Sequence, residues 1–159
     1  MSTIADLLQR QRHAFLQDGP PSLDQRKADL KALRKIVTSH RSRIEQAVDT
    51  DFGGRSPNET ALLDLVGVVN AIDYLDRNLK RFMKPERRKV EALSQRGRAW
   101  VEYQPLGVIG ILSPWNYPFL LAMVPLATAL AAGNRAMLKP SELTPETSAL
   151  MKTMLAEAF

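Results

Sequence analysis

Apolar residues in the first half of the chain return at intervals of three and four, whereas in the last third they run together in short unbroken blocks. Ile4, Leu7, Leu8 and Phe15 keep helical spacing until Gly19, and Pro20-Pro21 separates this segment from the next. Ser22 is placed to cap a second helix whose apolar face is Leu23, Leu30, Leu33, Ile36 and Val37, continuing through Ile44, Ala47 and Val48 until Gly53-Gly54 stops it. Ser56-Pro57-Asn58-Glu59 reads as a capping box, in which the Ser56 hydroxyl and the Glu59 carboxylate each satisfy an orphan backbone donor and Pro57 sits where its missing N–H is harmless. The helix it opens carries Leu62, Leu63, Leu65, Val66, Val69, Ile72, Leu75, Leu79 and Phe82, and should be long and mostly buried on one side.

The pattern changes after Lys84. Val90 to Leu93, a turn from Gln95 to Arg98 around Gly97, and Ala99 to Tyr103 predict a β-hairpin, an arm suited to pairing with another subunit. Gly107 to Leu112 is an apolar, β-branched run ended by Ser113-Pro114, which predicts a buried strand. Phe119 to Ala132 predicts a helix, with Gly133-Asn134 as residues that tolerate a left-handed cap. Ala136 to Lys139 predicts a second strand stopped by Pro140, and Thr144-Pro145-Glu146 a final helix with Thr144 as its N-cap. Strand, helix, strand, helix implies a crossover and parallel strands, hence an α/β fold with a Rossmann-like βαβα unit. The chain thus divides into a helical segment (1–83), a β-hairpin arm (84–104) and the βαβα nucleotide-binding unit (105–159).

Composition narrows what such a fold can do. With 159 residues, 45% hydrophobic and 25% charged, the chain can bury one core. It contains no cysteine, so disulfides, thiolate metal sites and a cysteine nucleophile within these residues are excluded. Neither His13 nor His40 has nearby ligand partners, so solvated or capping roles are expected and no metal site is predicted. From Val108 onward Arg135, Lys139 and Lys152 cancel Glu142, Glu146 and Glu157, so the net +5 lies entirely before that point. Lys80, Arg81, Lys84, Arg87, Arg88, Lys89, Arg96 and Arg98 cluster around the hairpin, but no aromatic stacking platform or nucleic-acid motif accompanies them. A solvated surface is the reading, with no nucleic-acid partner. Asp6, Arg10 and Arg12 interrupt the first residues, which argues against a secretory signal and for a cytoplasmic address. Phe119 to Ala132 is too short for the ~30 Å hydrocarbon core, so no membrane span is expected.

In parallel sheets ligands bind beyond the carboxyl ends of the strands. Ser113-Pro114-Trp115-Asn116 follows the first strand and Lys139-Pro140-Ser141-Glu142 the second, so both loops face one site. Glu142 and Lys139 are of the types that meet ribose hydroxyls and phosphates. Gly107 and Gly110 stand before or within the strand, so the usual phosphate turn is not at this first loop. Read without further context, Asn116 suits the N-cap of the following helix.

Three linked motifs in register carry a more specific signal: Pro105 to Pro118, Ala131 to Arg135, and Lys139 to Pro145. Together they resemble the aldehyde dehydrogenase superfamily. Asp51-Phe52-Gly53, Ser56 to Thr60 and Phe82-Met83-Lys84-Pro85 look like the branch that includes class 3 and coniferyl aldehyde dehydrogenases. The resemblance covers essentially the whole chain but only about the first third of a family member's usual length, so the chain is incomplete relative to the family. It implies NAD(P)-dependent oxidation of an aldehyde, such as coniferyl aldehyde, to the acid through a thiohemiacetal and a thioester. Asn116 matches the asparagine whose amide donates to the developing oxyanion. Leu112, Ser113, Pro114 and Trp115 match the stretch that lines the cofactor, and Lys139 and Glu142 its adenosine-ribose contacts. Glu142 should repel a 2′-phosphate, which leans toward NAD in a branch similar to enzymes that tolerate NADP. A small-molecule aldehyde substrate and a homodimer or higher homo-oligomer are implied. Because the nucleophile, the glutamate base and the later phosphate turn are missing, these residues alone are expected to be inactive. The rival reading is a non-catalytic nucleotide-binding or oligomerising fragment.

Overall fold

A computed structural model describes residues 3–91 and 97–159. Among the described residues, seven α-helices and four strands run in the order α1 (Ile4–Asp18), α2 (Leu23–Ser39), α3 (Arg41–Phe52), α4 (Pro57–Glu59), α5 (Val66–Phe82), β1 (Glu86–Arg88), β2 (Ala99–Val101), β3 (Val108–Leu112), α6 (Leu120–Ala131), β4 (Arg135–Lys139) and α7 (Pro145–Ala158), with a π-helical segment at Thr60–Leu65 joining α4 to α5. The parallel unit forms in the expected place. β3 and β4 pair from Val108 opposite Arg135 to Leu112 opposite Lys139.

The core lies between α6 and the amino-terminal helices. Helix α6 is apolar on nearly every side and must be covered all round; it lies on β3 and β4 and packs against α2 and α5. Ala122, Met123 and Ala127 of α6 meet a buried set that includes Leu30, Leu33, Val68 and Ile72. Gly67 permits the approach of α5 to α6, since a Cβ there would lie 2.7 Å from Cδ1 of Leu120. The end of α6 is held by Arg26, buried at 7% exposure, whose guanidinium donates to the backbone oxygens of Pro21 (2.9 Å) and Ala131 (3.3 Å). Gly133 then turns with φ of 82°. Asn134 is not left-handed; its side-chain oxygen accepts the Gly107 N–H at 2.9 Å and joins the entrances of both strands.

Several sequence expectations give way to tertiary contacts. The second helical run breaks at His40, where the backbone N–H of His40 reaches Ile36 O at 3.2 Å and closes α2 before α3 begins. The His40 ring takes a capping position too, with Nδ1 3.1 Å from that same oxygen and Nε2 3.4 Å from Glu157. The capping box at Ser56 does not form: the Ser56 side chain makes no cap hydrogen bond, and the Glu59 carboxylate is drawn instead to Arg55 Nε at 3.4 Å. The helix that follows is interrupted by the π segment, and Leu62, Leu63 and Val66 are exposed. A reciprocal capping box occurs instead at Thr3 and Asp6. The hairpin is antiparallel, but its first strand is Glu86–Arg88 rather than Val90 to Leu93. Five of its six strand residues are exposed, so the ribbon buries too little for apolar content to select the register, and backbone pairing does so. The predicted residues Ala92, Leu93, Gln95 and Arg96 fall outside the described residues.

Candidate functional site

Two loops leave the carboxyl ends of β3 and β4 side by side. Leu112 is the register partner of Lys139, and the Ser113 N–H donates to Lys139 O at 3.1 Å, so the ladder runs one residue beyond the strand before Pro114 ends it. The two loops that carry the sequence-predicted residues therefore start side by side at one end of the sheet. Leu112, Pro114, Trp115 and Asn116 are exposed there, and Ser113 is buried. Ser113 Oγ has no hydrogen-bond partner among the described residues, an orphaned polar atom at the base of the edge. Asn116 does not cap α6, which starts at Leu120 with Phe119 at the N-cap position; the cap reading for Asn116 is thereby replaced.

On the neighbouring loop the Lys139 ammonium and the Glu142 carboxylate form a close hydrogen-bonded ion pair, both largely exposed. The Lys139 hydrogen bond is the largest of the influences that hold the Glu142 carboxyl below its ordinary value. Glu142 is thus an anion at neutral pH with acceptor capacity left over. Ser141 shapes the loop: its Oγ accepts the Leu143 N–H at 3.2 Å and its carbonyl accepts from Ser148 Oγ at 3.2 Å. The expected N-cap, Thr144, makes no side-chain cap bond to α7. Asp51, from the end of α3, accepts the Glu146 and Thr147 N–H groups instead, at 3.0 and 2.8 Å.

The chain matches the model of the aldehyde dehydrogenase family over residues 4–159. It belongs to that family. It is similar to a probable coniferyl aldehyde dehydrogenase of Caulobacter vibrioides, 46% identical over 99% of this chain and 33% of the relative, and to the coniferyl aldehyde dehydrogenase of a Pseudomonas species, 44% identical over 98% of this chain and 32% of the relative. Aldehyde dehydrogenase family 3 member B1 of Bos taurus is 35% identical over 98% of this chain and 33% of its own length. Among solved structures, the substrate-bound state of Staphylococcus aureus AldH superposes with a TM-score of 0.94 at 29% identity, covering all of this chain and 34% of that one. A Streptococcus pyogenes succinic semialdehyde dehydrogenase in complex with NADP+, with a TM-score of 0.84 at 24% identity over 98% of this chain and 33% of that one, shares the fold. The chain spans about a third of the length of these relatives.

Within this family fold, sequence reasoning missed the residues that hold the loops. Arg55 and Asp64 secure the Asn116 loop, Asp51 secures the start of α7, and Arg26 the end of α6. A signal for one of them was present: Asp64 is a lone carboxylate inside the apolar run Leu62-Leu63-Asp64-Leu65-Val66, where only a specific partner makes a charge tolerable.

Proposed function

We propose that this chain is the cofactor-binding, oxyanion-binding part of an enzyme that oxidises an aldehyde to a carboxylic acid with NAD(P), and that the aldehyde is aromatic, coniferyl aldehyde or a close analogue. The observation that carries the proposal is the pairing of Leu112 with Lys139 at the carboxyl end of the parallel pair, which starts the loop bearing Asn116 and the loop bearing Glu142 side by side, in a chain of this family. The donor set fits a dinucleotide. A carboxylate kept ionised suits ribose hydroxyls, and an adjacent ammonium suits phosphate or ribose oxygens.

A bound NAD(P), held by Glu142 and Lys139, would supply the hydride acceptor for the aldehyde carbon. This chain's own residues bind and orient. Glu142 and Lys139 hold the adenosine end, Leu112 to Trp115 provide a wall, and the Asn116 amide donates to the oxygen that gains charge when a nucleophile adds to the carbonyl. Such a donor contributes on the order of 10²–10³ in turnover. No cysteine occurs in these residues, so the proposed thiolate comes from outside them, and with it the thiohemiacetal and thioester of the full reaction. Leaning toward NAD rather than NADP follows from Glu142, whose charge opposes a 2′-phosphate. The coniferyl assignment rests on the identity to the relatives of that name. The same proposal places the exposed hairpin arm, with Trp100 and Tyr103 outward, against a second subunit.

Calorimetric titration of NAD and NADP into the protein and into its Glu142→Ala variant tests the cofactor assignment. NAD should bind more tightly than NADP, and loss of the carboxylate should weaken NAD by about tenfold or more, as expected for a hydrogen bond to a charged group. Equal NAD affinity in the two proteins would remove Glu142 from the site.

A further inference from the structure

The loop that presents Asn116 is clamped from below by a buried ion pair. Arg55 lies beyond the end of α3, with its side chain only 7% exposed, and its Nη2 is 3.3 Å from Oδ2 of Asp64, which is fully buried. The guanidinium is flanked by two aromatic rings, Phe52 at 5.1 Å and Tyr117 at 4.9 Å from centroid to Cζ. Its Nη1 reaches the Asn116 carbonyl at 3.5 Å. Asp64 completes the clamp on the far side, where Oδ1 accepts the Leu120 N–H, the first backbone donor of α6, at 3.1 Å. Three points of the loop, the Asn116 carbonyl, the Tyr117 ring and the Leu120 amide, are thus tied to one pair of charges on other elements.

Stability alone is a poor account of this arrangement. Burial is the largest influence on the Asp64 carboxyl and pushes it up, against the Leu120 N–H and Arg55, which pull it down. Arg55 Nε and Nη2 and Asp64 Oδ2 are buried without a hydrogen bond of good geometry. Replacing a buried pair of this kind by apolar side chains is often neutral or stabilising. Asp64 also sits in the π-helical segment Thr60–Leu65, a rare backbone form that is frequent at functional sites.

We propose that Arg55 and Asp64 are positioning residues for the oxyanion donor Asn116: they fix the loop from Asn116 to Leu120 so that the amide points where charge develops. This inference rests on the aldehyde-oxidation reading of Asn116 and adds to it how that residue is held. Arg55→Met alone strands a buried carboxylate and is expected to fold poorly, so the informative variant is the double replacement Arg55→Met with Asp64→Leu in the full-length dehydrogenase that carries this sequence. Its kcat should fall on the order of ten- to a hundredfold, the scale of a loop misplaced by about 1 Å, with KM for NAD and the melting temperature little changed. In an Asn116→Ala background the same double replacement should cost almost nothing further, because the group it positions is gone. An equal fold-loss in both backgrounds would overturn the proposal and leave the pair a structural feature only. Should Asn116→Ala leave kcat untouched, the oxyanion reading fails by itself. The clamp is then judged by amide exchange at Leu120 and Leu121, where faster exchange in the double variant upholds the anchoring and unchanged exchange refutes it.

Discussion

The carboxylate of Asp51 caps a helix that begins 94 residues later, receiving the N–H of Glu146 at 3.0 Å and of Thr147 at 2.8 Å at the first turn of α7. Local sequence supplies Thr144 for that position, but with ψ of 68° its hydroxyl turns back toward Ser141 O, at 3.5 Å. A carboxylate at a helix start satisfies orphan donors and complements the dipole. The contact also ties α3 to the helix that follows the Glu142 loop.

Asp51→Ala should therefore destabilise the protein by about 1–2 kcal/mol, which for a chain of this size lowers Tm by roughly 2–8 °C. Asp51→Asn keeps one acceptor oxygen and should cost less. Thermal melts of the three proteins check the order, and an Asp51→Ala melt equal to the parent would remove the cap from the account.

Gly133 should not tolerate alanine. Its φ of 82° is strained for any side chain, and a Cβ would lie 2.5 Å from Cζ of Arg26, which is itself pinned by two backbone oxygens. The left-handed penalty and the disturbed charged hydrogen bonds together predict a loss of at least about 2 kcal/mol in denaturant unfolding. Arg26→Ala with Gly133→Ala should lose less than the sum of the single changes, since the two share one contact.

The pair Arg34 and Asp73 joins α2 to α5 through two hydrogen bonds, at 2.7 and 3.3 Å. The Arg34 hydrogen bond is the main reason that the Asp73 carboxyl lies below its ordinary value. A lowered folded pKa means that the unfolded chain takes up the proton first as acid is added. The contribution is therefore present above the ordinary carboxylate range near about 3.9 and is lost as pH falls through the lower folded value. Arg34→Gln should reduce stability at pH 7 and make progressively less difference as the pH is lowered below the ordinary carboxylate range, read from denaturant midpoints across an acid series.

Purified on their own, these 159 residues should show no NAD-dependent oxidation of coniferyl aldehyde or benzaldehyde in an absorbance assay at 340 nm, because no thiol is present to add to the carbonyl. Reduction of NAD by that polypeptide above a no-protein control would overturn the thiohemiacetal route.

Much of the architecture was legible because it rests on short-range rules. Apolar periodicity marks α1, α2 and the body of α5, and proline after each short apolar block ends β3 and β4 within a residue or two of where they stop. The order of those blocks also requires parallel pairing, which places Leu112 beside Lys139 and starts both following loops at the same end of the sheet. The hairpin register was not legible, since a ribbon that buries almost nothing gives sidedness no means of choosing between neighbouring pairings. Nor were the caps at Ser56 and Thr144, where the neighbouring Arg55, itself held by Asp64, draws the Glu59 carboxylate away and Asp51 of α3 takes the first donors of α7.

By itself, then, the sequence determined most of the helical stretches, the parallel strand pair and which residue types stand at its strand tips, because those follow from spacing within a few residues. Only the tertiary structure decided what holds those tips in place. Arg55 against Asp64, Asp51 against Thr147 and Arg26 against Ala131 join positions from 9 to 105 residues apart. Such pairings depend on where packing leaves a buried charge or an unpaired backbone group, and no local pattern records that.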